Sequence, residues 1–252
     1  MSRRQSVDVL GVRVDDVTYA EAIDMIDGFV GAGGPHIVTT PNPEIVMAAR
    51  SDARFRAVLA RAALNVPDGI GLILASRFGR GRIREHVRGT DLVERLAAHS
   101  AARGQRWYLL GAADGVAEEA AGRLRARHPG LRIVGTAPGS PRSEDDASVR
   151  ATIRAAGPID VILVAYGAPR QELWLDRNLG VLGIPVGIGV GGVFDFLSGR
   201  APRAPHWVRR LELEWLHRLA TQPWRWRRQL ALPRFLLLAA SAALSERAGR
   251  RR

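Results

Sequence analysis

The sequence has 252 residues, 46% of them hydrophobic, which is enough apolar material for one sizeable α/β core. It contains no cysteine, so disulfide frameworks, thiolate metal sites and cysteine nucleophiles are excluded. The formal charge of +12 is carried by arginine, there being no lysine, and residues 200–252 hold 13 arginines against Glu212, Glu214 and Glu246.

Residues 1–10 lack the long apolar stretch of a secretion signal and run straight into a strand pattern at 7–10, so a cytoplasmic chain is expected. Helical periodicity at 19–30 leads to a strand at 37–39, then helices at 44–50 and 52–63, a short apolar run at 63–66, a Pro-Asp-Gly turn at 67–69 and a helix at 70–78. From residue 107 the alternation is strict: strands at 107–110, 131–134, 159–165 and 185–190, helices at 116–127, 148–156 and 171–179. Strict alternation predicts an α/β fold over 1–198, a Rossmann-like parallel sheet with helices on both faces. Ligands of such sheets bind at the carboxyl ends of the strands.

Residues 199–252 break that pattern and predict a basic helical appendage. It is rich in arginine and in Trp207, Trp215, Trp224 and Trp226. Its apolar run, 235–244, falls far short of the roughly 20 residues that span a bilayer. The run is expected to lie on a membrane surface or to pack on the domain. A field this basic attracts nucleic acid, anionic lipid or a diphosphate, and charge alone does not choose.

Four strand-end loops carry polar groups. In Thr40-Pro41-Asn42-Pro43-Glu44, Thr40 and Asn42 can cap a helix or bind a ligand. Asp68, between Pro67 and Gly69, is either a turn residue or a catalytic acid. Gly167-Ala168-Pro169-Arg170-Gln171-Glu172 is either a tight strand-to-helix turn with a polar first helical turn or an anion site at the helix N-terminus built by Arg170 and Gln171. Glycines 187, 189 and 192 spell G-x-G-x-x-G, yet about 20 residues further on stand Arg209 and Arg210 instead of a ribose-binding acid, so a phosphate cradle at Gly189 and Gly191 is preferred to a dinucleotide site. His99, His128 and His217 have no metal-ligand spacing and read as surface or packing residues, while Glu144, Asp145 and Asp146 read as solvated charge. No metal site and no cofactor are signalled.

Taken in order, T-P-N-P-E at 40–44, P-D-G-I-G at 67–71, G-T-D-L at 89–92, Y-L-L-G at 108–111, G-A-P-R-Q-E at 167–172, G-V-G-G-V-F-D-F at 189–196, R-A-P at 203–205 and L-E-W-L-H-R-L at 213–219 resemble the WecG/TagA/CpsF family, glycosyltransferase family 26. The resemblance implies an inverting, metal-independent transfer of N-acetylmannosamine or a related hexose from a UDP-sugar to an undecaprenyl-diphosphate-linked acceptor, in teichoic acid or other surface-polysaccharide synthesis. It implies Asp68 as general base, Thr40 and Asn42 as strand-end site residues and Gln171 as a nucleotide-sugar contact. Arg218, Arg225 and Arg228 fall where the family's appendage supplies diphosphate-binding arginines. A departure stands at Glu85-His86-Val87-Arg88-Gly89, because family members commonly carry arginine at the position of His86. Arg84 or Arg88 can supply that charge, and Arg88 is taken as the substrate-binding one. The resemblance also implies a peripheral enzyme on the inner face of the cytoplasmic membrane, contact with anionic lipid, and homo-oligomers assembled through the core. A nucleic-acid-binding protein would explain the arginines and tryptophans but leaves the strand-end loops without a purpose, and an NAD-dependent oxidoreductase would explain only the glycine loop.

Overall fold

The computed structural model describes residues 5–78, 81–221 and 231–249. Six strands form one parallel sheet: β3 (His36–Thr39), β4 (Leu64–Asn65), β5 (Arg106–Gly111), β6 (Arg132–Ala137), β7 (Val161–Ala165) and β8 (Val186–Gly189), in the order β4-β3-β8-β7-β5-β6. Helices cover both faces, as the alternating pattern predicts. The continuous apolar run of β7 follows from this burial: Val161 and Leu163 join the core on one face, Ile162 and Val164 that on the other, and none is exposed.

One face packs α1 (Tyr19–Ala32), α5 (Gly89–Arg103), α6 (Val116–Arg127) and the short α9 (Val193–Leu197). The opposite face packs α7 (Asp146–Ala155) and α8 (Arg170–Leu182), with Trp174 fully buried between helix and sheet. The sequence pattern does not signal α5. Arg88 occupies its N-cap and makes no side-chain cap bond, so the usual Ser, Thr, Asp or Asn signature is missing.

The first predicted strand proves to be half of a hairpin outside the main sheet. β1 (Ser6–Val9) pairs antiparallel with β2 (Val12–Asp15). Its two-residue turn puts Leu10 at φ 54° and Gly11 at φ 85°, the sign pattern of a type I′ turn, and leucine in the first place hides the signal that asparagine would give. The hairpin forms a further apolar cluster with α2 (Pro43–Ser51), α3 (Ala53–Arg61) and α4 (Ile70–Phe78).

The basic segment is helical where it is described: α10 (His206–Arg210), α11 (Glu214–Thr221) and α12 (Ala231–Gly249). Past residue 198 the last described helix packs on the α/β domain. Phe235 is fully buried and Ala239 nearly so, one turn apart on α12, against α2 and α4. Gly71 makes the approach possible, since a Cβ there would lie 2.9 Å from Leu232 and 2.6 Å from Pro43. Leu237 and Leu244 point outward, 73% and 65% exposed. Among the described residues, no helix is long and apolar enough to cross a membrane. Asp146 is a correction to the sequence reading: it is buried and its carboxylate receives Arg177 at 2.7 and 3.1 Å, because it opens α7 against α8.

Asn65 holds the short β4 in place. Its amide donates to the Leu59 carbonyl at 2.9 Å and accepts the Thr39 hydroxyl at 2.5 Å, while its backbone N–H donates to Asp15 at 2.8 Å, all of it buried. Asn65→Ala should therefore cost about 2–4 kcal/mol, from lost bonds and a stranded carbonyl and hydroxyl. Urea unfolding will read this as a lower midpoint at unchanged slope, and a change under about 0.5 kcal/mol would remove the network from the account of the fold.

Candidate functional site

The loops leaving β3 and β4 are stitched together by backbone bonds. Val66 N–H donates to Thr39 O at 2.8 Å, Asp68 N–H to Pro41 O at 2.9 Å, and Val87 N–H to Pro67 O at 2.9 Å. These bonds present Asp68 at the carboxyl edge of the sheet with its side chain 30% exposed. Gly69 follows at φ 116°, where a side chain is strained. Gly89 lies opposite, and a Cβ there would stand 3.5 Å from Asp68 Oδ2, so the missing side chain keeps that face of the carboxylate open.

The pocket around Asp68 is lined by Asn42, Glu44, Gly69, His86, Arg88, Thr90, Glu212, Glu214, Trp215 and Leu232, among others. The three basic residues of 84–88 separate cleanly. Arg84 turns away, to Asp16 at 2.9 Å and Glu21 at 2.8 Å. Arg88 faces the pocket, 2.6 Å from Glu212 Oε1 and 3.7 Å from Glu214 Oε2. His86 stands between two carboxylates, with Nδ1 2.6 Å from Glu212 Oε2 and Nε2 3.4 Å from Asp68 Oδ1, and Gly69 N–H donates to Nε2 at 2.7 Å.

Burial alone disfavours the imidazolium, but hydrogen bonds to Asp68 and Glu212 and their charges outweigh it and push His86 up to about 9. The Gly69 contact pulls the other way, because it needs a bare Nε2. That contact, at 2.7 Å, fits the neutral ring with its proton on Nδ1, whereas the two carboxylates favour a second proton on Nε2. Glu212 is buried in part, which raises a carboxyl, yet His86 and Arg88 bring it below its ordinary value.

Asn42 caps α2, its Oδ1 accepting Ile45 N–H at 2.9 Å, and the residue also lines the pocket. Thr40 lies behind, its hydroxyl donating to Gly189 O at 3.3 Å. Gln171 is buried, and its amide is engaged. Oε1 accepts Gly167 N–H at 3.1 Å and Gly191 N–H at 2.9 Å, and Nε2 donates to Glu172 at 2.8 Å. The pair thereby joins the loops leaving β7 and β8. Gly191 N–H donates to Gln171, and Gly189 has no room for a side chain because a Cβ would come within 2.8 Å of the same amide. Gly187 likewise makes room for Leu175 and Leu179.

Arg218 belongs to the backbone of α11, but its side chain lies outside the described residues, as do Arg225 and Arg228. The preceding stretch is pinned over the sheet edge by Arg200 to Glu119 at 2.7 Å, Arg203 to Asp91 and Arg209 to Asp91 at 3.9 Å. Sequence reasoning missed Glu212, Glu214 and Trp215 as pocket residues and Glu172 as a buried acid. The L-E-W-L-H-R-L string flagged the region of the first three, but which side chains point inward depends on the turn between α10 and α11.

The model of the Glycosyl transferase WecG/TagA/CpsF family matches residues 7–249. The chain is 35% identical over 212 residues to an N-acetylglucosaminyldiphosphoundecaprenol N-acetyl-beta-D-mannosaminyltransferase of Bacillus subtilis (strain 168), covering 84% of this chain and 80% of that protein. It is 29% identical over 243 residues to the Staphylococcus aureus (strain NCTC 8325 / PS 47) protein of the same name, covering 96% and 94%.

Glu172 gives a prediction that needs no substrate. Burial pushes its carboxyl up to about 7, against the opposing bonds from Gln171 and its own backbone N–H. A carboxyl raised on folding keeps its proton after the unfolded chain has lost it. Its contribution to stability is therefore complete below about 4.5 and declines as pH rises toward 7. Relative to Glu172→Gln, the wild type should lose on the order of 3 kcal/mol across that window. Thermal or urea melts of both proteins from pH 4.5 to 7.5 check it, and a stability difference independent of pH would refute the buried, protonated carboxyl.

Proposed function

Because the chain belongs to the WecG/TagA/CpsF family of glycosyltransferases, we propose that it moves N-acetylmannosamine or a related hexose from a UDP-sugar to an undecaprenyl-diphosphate-linked acceptor, with inversion and without a metal ion. The donor sugar and acceptor follow the names of its relatives, which act on N-acetylglucosaminyldiphosphoundecaprenol. The observation that carries the chemistry is Asp68, a partly exposed carboxylate at the sheet's carboxyl edge, in a pocket with His86 and Arg88.

In an inverting transfer the acceptor hydroxyl attacks the anomeric carbon from the face opposite the diphosphate. The C–O bond to UDP breaks as the new glycosidic bond forms, and Asp68 takes the hydroxyl proton. Negative charge grows on the departing diphosphate and needs fixed positive groups around it. Arg88 is one. It is shared here with Glu212 and Glu214, so further guanidinium groups are required, and Arg218, Arg225 and Arg228 of the basic segment are proposed for this role. Among the described residues no group of three or more metal-ligating side chains is arranged to hold an ion.

The segment 199–252 is proposed to complete the site and to meet the membrane. The outward Leu237 and Leu244 of α12, with Trp207 63% exposed on α10, offer apolar contact beside a strongly basic stretch. Peripheral attachment to an anionic inner leaflet would bring the pocket to a lipid-borne acceptor.

Asp68→Asn is expected to keep the fold and donor binding while lowering turnover about 10²-fold or more. Assays with UDP-N-acetylmannosamine and a lipid-diphosphate-N-acetylglucosamine analogue check this, and wild-type turnover would eliminate Asp68 as the base. Activity should also survive exhaustive EDTA treatment. If it is lost and Mg²⁺ or Mn²⁺ specifically restores it, the metal-independent mechanism is wrong.

A further inference from the structure

Glu212 ends α10 in the left-handed region, at φ 60°, a place where helices most often put glycine. A residue with a side chain pays about 1 kcal/mol or more there. Such a conformation persists when the surroundings over-determine it, and here the carboxylate is what they hold. One oxygen takes the Nδ1 proton of His86 at 2.6 Å and the other takes Arg88 at 2.6 Å, while Arg88 also donates to the carbonyl of Arg209 at 2.8 Å.

His86 passes this contact on. With the proton on Nδ1 committed to Glu212, Nε2 is an acceptor and takes Gly69 N–H at 2.7 Å, fixing the turn that carries Asp68. While the ring is neutral, Nε2 lies 3.4 Å from Asp68 Oδ1 without claiming it, and the carboxylate keeps its lone pairs for an incoming proton. A line of contacts thus runs from the C-terminal segment through one imidazole to the turn bearing the base.

We propose that Glu212, acting through His86, is a positioning residue for Asp68, and that seating of the C-terminal segment is coupled in this way to the readiness of the base. The proposal rests on the reading of Asp68 as the base. The groups facing His86 are Asp68 from the loop after β4, Glu212 from the turn after α10, and Arg88 from its own segment, with Glu44 and Glu214 elsewhere on the pocket wall. A second proton on the ring must sit on Nε2. That breaks the Gly69 contact and directs an N–H at Asp68, where it competes with the acceptor hydroxyl. Turnover should therefore fall as pH drops through about 9, where His86 takes this proton. Glu212→Gln removes a charge that favours the imidazolium and should move the fall to lower pH.

The test uses the full chain with the UDP-sugar and lipid-diphosphate acceptor analogue, comparing Glu212→Gln, Glu212→Gly, His86→Gln and Asp68→Asn. Glycine adopts φ 60° without strain, which offsets part of the loss of the His86 and Arg88 contacts, so a cooperative melt of Glu212→Gly above the assay temperature separates misfolding from mispositioning. This variant should lower kcat about tenfold or more and leave KM for the donor within about threefold. Glu212→Gln should shift the acid limb of kcat to lower pH, and His86→Gln should abolish that limb. Wild-type kcat in both Glu212 variants, with Asp68→Asn inactive, overturns the positioning role and leaves the base assignment standing. A loss confined to KM overturns it too, by making Glu212 a binding residue. Full activity in Asp68→Asn is the separate outcome that defeats the underlying reading.

Discussion

A parallel sheet buried on both faces sends every strand in one direction, so all its carboxyl ends meet at one edge. That edge is where the chain must leave the apolar interior and satisfy its backbone groups by other means. The molecule does so by joining one loop to another: the loop after β3 to that after β4 through Asp68 N–H, the latter to residues 83–88 through Pro67, and the loops after β7 and β8 through Gln171. The pocket around Asp68 is a product of that stitching.

The buried polar residues nearest the edge work as connectors, and each is tied to several partners. Asn65 links hairpin, helix and sheet, and Gln171 with Glu172 links two glycine-bearing loops. In a low-dielectric interior such groups are costly when unmatched, which is why their partners are so specific. Glu172 goes further, since burial keeps its carboxyl protonated to near neutrality, so a donor of hydrogen bonds is available where sequence shows an acid. Small residues supply the remaining freedom. Gly189 exists for the Gln171 amide, Gly71 for Leu232 of α12, and Gly89 for the open face of Asp68.

The C-terminal segment is bound into this edge by charge and by apolar contact together. Arg200, Arg203 and Arg209 meet acids on α6 and α5, Glu212 meets His86 and Arg88, and Phe235 fills the cluster under α2 and α4. Surface ion pairs are worth little singly. Here they act alongside a fully buried phenyl ring, and the pocket walls come from both parts of the chain.

The sequence by itself determined the fold class, the order of the main strands and helices, and the loops that hold Asp68, Asn42 and Gln171, because hydrophobic periodicity and turn residues are local signals. It also marked 199–252 as basic through composition alone. Tertiary structure decided the rest. Local pattern could not reveal α5, whose cap is an arginine, or the hairpin, whose I′ turn begins with leucine. It could not choose among Arg84, His86 and Arg88, which stand two residues apart and whose directions depend on Asp16, Glu21 and Glu212, distant in sequence. Nor could it show that Gln171 and Gly191 bind each other, or that Glu212 sits 2.6 Å from an imidazole 126 residues away. Such contacts arise where chain segments converge at the sheet edge, and convergence is a property of the folded whole.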